Sequence, residues 1–269
     1  MLAESAPGHA PPAMRLKPRS LRCVLAAGLA AWLGAAWSQD YEREKRWEEQ
    51  TLATLFSGEA VYLQQAQGHR FLALHAVAAA PRGAVVIVHG RGWGPDFELY
   101  GTLRTQLAEA GYTTLSIQMA VLPGTANFAE YLPLYPDAAE RIRLALDWLA
   151  QRGEKRIALV AHSLGATLVN RYLTDSGDPR VGAWVAISII NGLEGVQRIR
   201  VPVLDIYGTR DWAGTLYGAP ERKAQIAHIA GSQQLAIEGA EHFFDRQHGE
   251  ISRAVADFLD RVWNPSRGE

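Results

Sequence analysis

The chain has 269 residues, 48% of them hydrophobic and 20% charged, with a formal net charge of −1. That composition suits a globular protein with material for a sizeable core, and the near-balance of charge argues against nucleic acid or an anionic membrane surface as partner. The single cysteine, Cys23, excludes an internal disulfide framework and a cysteine nucleophile in the body of the protein.

In chain order, Arg15, Lys17, Arg19 and Arg22 form a basic region ahead of the uncharged run Cys23–Trp37, and Ala36 and Ser38 put small residues at the two positions a signal peptidase reads. The expectation is export with cleavage after Ser38, because the apolar run falls short of the roughly 20 residues that span a bilayer. Residues 1–38 would then be a signal peptide, and 39–269 one mature domain without stable membrane insertion. A mature chain without cysteine suits an oxidising compartment.

Asp40 to Phe56 is heavily charged around Trp47, Leu52 and Leu55, which reads as a surface helix with one apolar stripe and a solvated charged face. Two β-like runs follow, Ala60 to Gln64 and Arg70 to Val77, with Gln67 and Gly68 as the turn of an antiparallel hairpin. Thereafter strands alternate with helices. The strands are Gly83 to His89, Tyr112 to Gln118, Arg156 to Ala161, Val181 to Ile190, Val201 to Tyr207 and Gln233 to Ile237; the helices are Phe97 to Gly111, Ala138 to Gln151, Leu164 to Leu173, Glu221 to Ile229 and Ile251 to Trp263. Such alternation predicts an α/β fold, a doubly wound, mostly parallel sheet with the hairpin at its edge. Arg91 to Asp96 and Met119 to Pro136 read as long loops, and the short link before Val201 leaves no room for a large cap domain.

Functional groups of such a sheet gather where its strands end. The run Ile157–Val169 breaks on Ser163, between Ala161 and Gly165, so its AxSxG pattern predicts a strand–elbow–helix turn that exposes a hydroxyl beside helix amides. Alone, that pattern fits an ordinary turn as readily as a nucleophile. Other strand ends supply His89–Trp93 (HGRGW), Asp211 and His242. A serine needs a base, and an imidazole base needs a carboxylate to orient it. Ser163, His242 and Asp211 are the candidates for these roles. His248, His228 and His162 compete as base, and Asp205 competes with Asp211, although Asp205 sits mid-strand.

The order Ser163, Asp211, His242 together with the elbow and the HG loop resembles the α/β-hydrolase superfamily from about Ala60 to Trp263. Within it, the signal segment, Arg43–Trp47, His89–Trp93, Leu204–Gly208 and His242–Phe244 resemble a Gram-negative envelope family of unassigned function. The resemblance implies an α/β-hydrolase fold, with Ser163 as nucleophile, His242 as base and then acid, and Asp211 as orienting acid. It also implies that the backbone N–H groups of Leu164 and Arg91 form an oxyanion hole, and that the location is periplasmic. Ala161 departs from the commoner glycine of the elbow.

His89 reads as a loop brace, and Arg91 as either an anion contact or the partner of an acid such as Asp96. Trp93, Phe128, Tyr131, Tyr135, Trp212 and Phe243 are candidates, with His89, to line the substrate pocket. No metal spacing or dinucleotide fingerprint is present, so no metal and no cofactor are expected. The activity expected is a serine hydrolase, esterase-like, acting on a small-molecule or lipid- and envelope-derived acyl substrate. The alternatives are an acyltransferase using the same residues and a non-catalytic envelope protein that binds a partner on a hydrolase scaffold.

Overall fold

The computed structural model describes residues 39–263, which belong to one compact unit; the expected signal segment and its cleavage site lie outside them. An eight-stranded sheet runs through the unit in the order β1-β2-β4-β3-β5-β6-β7-β8. The strands are β1 (Glu59–Gln64), β2 (Arg70–Ala76), β3 (Gly83–Val88), β4 (Tyr112–Ile117), β5 (Ile157–His162), β6 (Val181–Ile187), β7 (Val203–Gly208) and β8 (Gln233–Ile237). β1 and β2 form the antiparallel edge, β2 pairs antiparallel with β4, and every other pairing is parallel.

Burial on both faces explains the unbroken apolar runs. Every residue of β3, β4 and β5 is buried, because helices cover the sheet on each side. One face holds α4 (Tyr135–Gln151) and α5 (Leu164–Ser176), packed through Ile142, Leu146, Leu149 and Val169. The other holds α2 (Leu99–Glu109) and α7 (His248–Trp263), packed through Leu103, Leu107, Val255 and Leu259. The amphipathic stripe of α7, read from its spacing, is its buried face.

Several boundaries differ from the sequence expectation, three of them with a bearing on the site or its surroundings. Within the expected Met119–Pro136 loop lie the short helix α3 (Phe128–Tyr131) and a 3₁₀ turn, Leu132–Leu134. The Asn127 side chain accepts from Ala129 N and Glu130 N while Glu130 Oε2 accepts from Asn127 N, a local capping box in a stretch too short to show helical periodicity. Helix α6 begins at Ala213 instead of Glu221 and runs to Ile226 through Pro220. The expected helix starts just after that proline, which removes one hydrogen bond but leaves the rest of the helix packed. β6 ends at Ile187 instead of Ile190, which leaves Ser188 just past the strand's carboxyl end. The β6–β7 link contains only a 3₁₀ turn, Val196–Arg198, so no cap domain is inserted there.

Candidate active site

Ser163 sits between β5 and α5 at φ 55° and ψ −120°, a conformation that residues with a Cβ rarely adopt. Two features hold it there: its N–H donates to Ile187 O at 2.8 Å, and Gly165 lets α5 close on β3. A Cβ at Gly165 would lie 2.6 Å from both Val88 O and His89 O. Those atoms are backbone and cannot swing aside. Gly165→Ala should therefore destabilise the fold by about 1–3 kcal/mol and misplace the elbow, seen as a lower urea midpoint together with lost activity. An unchanged midpoint would mean that α5 can move off β3 without cost.

Around Ser163 the three residues chosen from strand ends come together. His242 Nε2 lies 2.9 Å from Ser163 Oγ, and His242 Nδ1 lies 2.6 Å from Asp211 Oδ1. A carboxylate on Nδ1 requires the proton there, which leaves Nε2 to accept from the serine hydroxyl. Asp211 Oδ1 also accepts from Trp212 N at 2.6 Å, and Ser188 Oγ donates to Oδ2. Burial pushes the Asp211 carboxyl up, but the hydrogen bonds from His242 and Ser188 outweigh it and hold the group below its ordinary value. It stays ionised.

Among the rivals, Asp205 lies in β7 and is wholly buried, taking Arg222 Nε on both oxygens at 3.0 and 2.9 Å, with Gln234 Nε2 at 2.7 Å. It has no bond to His242. His248 is the first residue of α7 and bonds Phe243 O at 3.1 Å. His228 is exposed beyond the end of α6. His162, beside Ser163 in sequence, points elsewhere: its Nε2–H donates to His242 O at 2.9 Å and its Nδ1 accepts from Tyr100 Oη at 2.8 Å. Tyr100 Oη in turn accepts from Gly90 N at 2.9 Å. That run of bonds ties the HG loop to the backbone of the His242 loop. Neither Tyr100 nor Ser188 was singled out from sequence. Ser188 was hidden by the overlong strand, and nothing local marks Tyr100 as different from a core tyrosine.

The two expected oxyanion donors lie next to Ser163. Leu164 is the first residue of α5, and a Cβ at Gly90 would lie 3.4 Å from Ser163 Cβ, so the loop leading into Arg91 passes against the serine. Arg91 makes no ion pair with Asp96, as one sequence reading had it. Asp96 instead takes Arg104 Nε at 2.7 Å, and Arg91 Nη1 donates to Ala126 O at 2.6 Å.

A cleft of about 230 Å³ beside Ser163 is lined by Arg91, Trp93, Phe128, Ile190, Trp212 and Phe243, together with Gly90, His162 and His242. Trp212 lies flat on the His242 ring, with centroids 3.5 Å apart and planes 7° apart. Three expected pocket residues are elsewhere. Tyr131 is buried, with its hydroxyl 3.0 Å from Leu122 N; Tyr135 is in the core under the Arg171 guanidinium. His89 is also enclosed, with Nδ1–H on Gly90 O and Nε2 accepting from Met119 N, both at 2.8 Å. Aromatic type in a loop does not say which way the ring turns. A larger groove of about 790 Å³, lined by Ser57–Glu59 and Ala108–Gly111, contains none of Ser163, Asp211 and His242. Among the described residues only Glu98, Asp245 and His248 bring three metal-ligating atoms within 4.8 Å, and both carboxylates are solvent-exposed.

The two enclosed histidines carry a pH consequence. Burial pushes His89 down to about 4 and His162, also opposed by neighbouring His242, down to about 3. The unfolded chain takes up these protons near pH 6.5 while the folded protein does not. Stability is therefore full above pH 7 and declines as pH falls from about 6.5 toward 4. Urea unfolding at pH 5 should show a loss on the order of 2 kcal/mol per histidine relative to pH 7; equal stabilities would contradict neutral, enclosed imidazoles.

With fold and geometry in place, the class is clear. A sequence model of the alpha/beta hydrolase family matches residues 85–267, more than half of the chain, and the protein belongs to that family. A second model, described as a protein of unknown function (DUF3530), matches residues 33–133. No curated protein matches the chain. Among solved structures it is similar to Est1E from Butyrivibrio proteoclasticus, with 17% identity and a TM-score of 0.60 over 77% of this chain and 99% of that one. It is likewise similar to the Pyrococcus furiosus esterase Pf2001, with 17% identity and a TM-score of 0.63 over 78% and 94% of the two chains. The dienelactone hydrolase from Anabaena variabilis gives 17% and 0.62 over 75% and 95%. At such identities the likeness is one of fold.

Proposed function

We propose that the protein is an exported serine hydrolase that cleaves a carboxylic ester with a small acyl group through an acyl-enzyme. One observation carries the reading: the continuous hydrogen-bonded run Ser163–His242–Asp211 at 2.9 and 2.6 Å, opening on an aromatic-walled cleft. Ser163 Oγ attacks the carbonyl carbon while its proton passes to His242 Nε2. The oxygen that becomes negative is met by the N–H groups of Leu164 and Arg91 at the positive end of α5. Collapse breaks the carbon–oxygen bond, and the departing alkoxide takes the proton from His242. Water then attacks the acyl carbon and gives its proton to His242 Nε2; collapse breaks the bond to Ser163 Oγ, which takes that proton back as the acid is freed.

The cleft volume, below the usual range for ligand sites, favours a short or flat acyl group between Trp93, Phe128, Trp212 and Phe243. Export with cleavage after Ser38, and a periplasmic location, are the sequence-based part of the proposal. The test of the chemistry is a fluorophosphonate probe with mass mapping. One adduct on Ser163, absent in Ser163→Ala, is expected. A folded protein that takes no label would overturn the reading.

A further inference from the structure

We propose that the N-terminal helix α1 (Tyr41–Ala53) is a working part of the active site, in which the Arg43 guanidinium holds the oxyanion loop in register with Ser163. This inference rests on the serine-hydrolase reading above. It replaces the sequence expectation that the charges of this segment form only a solvated face.

Arg43 is half-buried, and its side chain makes no ion pair among the described residues. Instead Nη1 donates to Leu122 O at 2.6 Å and Nη2 donates to Gly92 O at 3.3 Å. A planar fork of donors suits such a bridge, because two separate carbonyls can be held by one rigid group. Gly92 follows directly on Arg91, whose N–H is the second oxyanion donor. Its φ is +74°, and a Cβ there would lie 3.1 Å from Arg43 Nη2. The guanidinium thus occupies the side of the loop where a side chain would otherwise stand. Leu122 belongs to the segment that also carries Ala126, the partner of Arg91, so Arg43 joins the two loops flanking the cleft.

The helix that delivers Arg43 is itself firmly docked. Glu44, 4% exposed, accepts from Arg141 Nη1 and Nη2 at 2.9 and 3.2 Å and lies 3.1 Å from His69 Nε2. Asp40 N donates to Val121 O at 2.8 Å, and the Asp40 side chain caps α1 through Arg43 N at 2.9 Å. The Trp47 ring is 6.2 Å from that of Trp93, which is 5.9 Å from Phe243, the neighbour of His242. The family match that begins at residue 85 leaves this helix out, whereas the match over residues 33–133 contains both the helix and the loop it grips.

A donor to a developing oxyanion must be in place before the reaction, and a displacement of about 1 Å lowers rate by on the order of 100-fold. Residues 91–96 have no strand or helix of their own to provide that rigidity. Arg43 is therefore a positioning residue that acts through the Gly92 carbonyl.

The test is steady-state hydrolysis of p-nitrophenyl butyrate by the wild type, Arg43→Met and Arg43→Lys, with the fluorophosphonate inactivation rate and the melting temperature of each. Methionine keeps an apolar stem but removes the donors. We expect kcat and the inactivation rate of Arg43→Met to fall together by about 10- to 100-fold with KM within about twofold. Arg43→Lys, which can still donate to one carbonyl, should fall between the two. A folded Arg43→Met with wild-type kcat, or methionine and lysine variants that lose equally, overturns the proposal while leaving the hydrolase reading intact. Should Arg43→Met not fold, the lysine variant decides: a loss confined to kcat supports positioning, and wild-type kcat refutes it. A wild type that neither labels nor turns over ester fails the underlying reading instead.

Discussion

Ser163→Ala should lower kcat/KM for a p-nitrophenyl ester by about 10⁴- to 10⁶-fold and abolish fluorophosphonate labelling, with the fold retained. The size follows from chemistry: Ser163 Oγ is the atom hydrogen-bonded to the imidazole, and among the described residues no other hydroxyl bonds that nitrogen. What survives should be the smaller rate enhancement of the oxyanion donors and substrate binding. Stability should change little, because alanine keeps the Cβ and the same constraint at φ 55° while losing one hydrogen bond. Steady-state kinetics with circular dichroism checks both parts. A folded alanine variant with more than about a tenth of wild-type activity would place the nucleophile elsewhere.

Asp211→Asn is expected to lower kcat by about 10⁴-fold with KM little changed. The carboxylate requires the imidazole proton on Nδ1, and the amide of the variant can offer N–H there instead. That would stabilise the opposite tautomer, with the proton on Nε2 facing a serine hydroxyl it can no longer deprotonate. Ser188→Ala should show a smaller fall, since Asp211 keeps its bonds to His242 and Trp212 N. Asp205→Asn distinguishes the two acids: it weakens the buried contact to Arg222 and should lower stability more than kcat. If Asp205→Asn removes activity from a folded protein and Asp211→Asn does not, the assignment of the acid is wrong.

The parts legible in sequence were those governed by local rules. β3 and β5 are unbroken apolar runs because each is covered on both faces, and the elbow is legible because only a small residue fits where Gly165 meets β3. The parts that escaped depend on long-range placement. α6 continues through Pro220 because its other contacts persist. Tyr131 and Tyr135 turn into the core while Phe128, from the same stretch, faces the cleft.

By itself, then, the amino-acid order determined the alternation of strands and helices, the strained serine and the order in which Asp211 and His242 follow it. Periodicity, steric limits on backbone turns and the chemistry of side chains act over a few residues, so a linear string records them. Tertiary structure alone decided which of several histidines and aspartates face Ser163, that Ser188, Tyr100 and His162 brace them, and that Arg43 reaches Gly92 across 49 positions of chain. Those partners meet only when the sheet brings distant strand ends to one edge, and hydrogen bonding depends on distances of a few tenths of an ångström that no spacing in the sequence encodes.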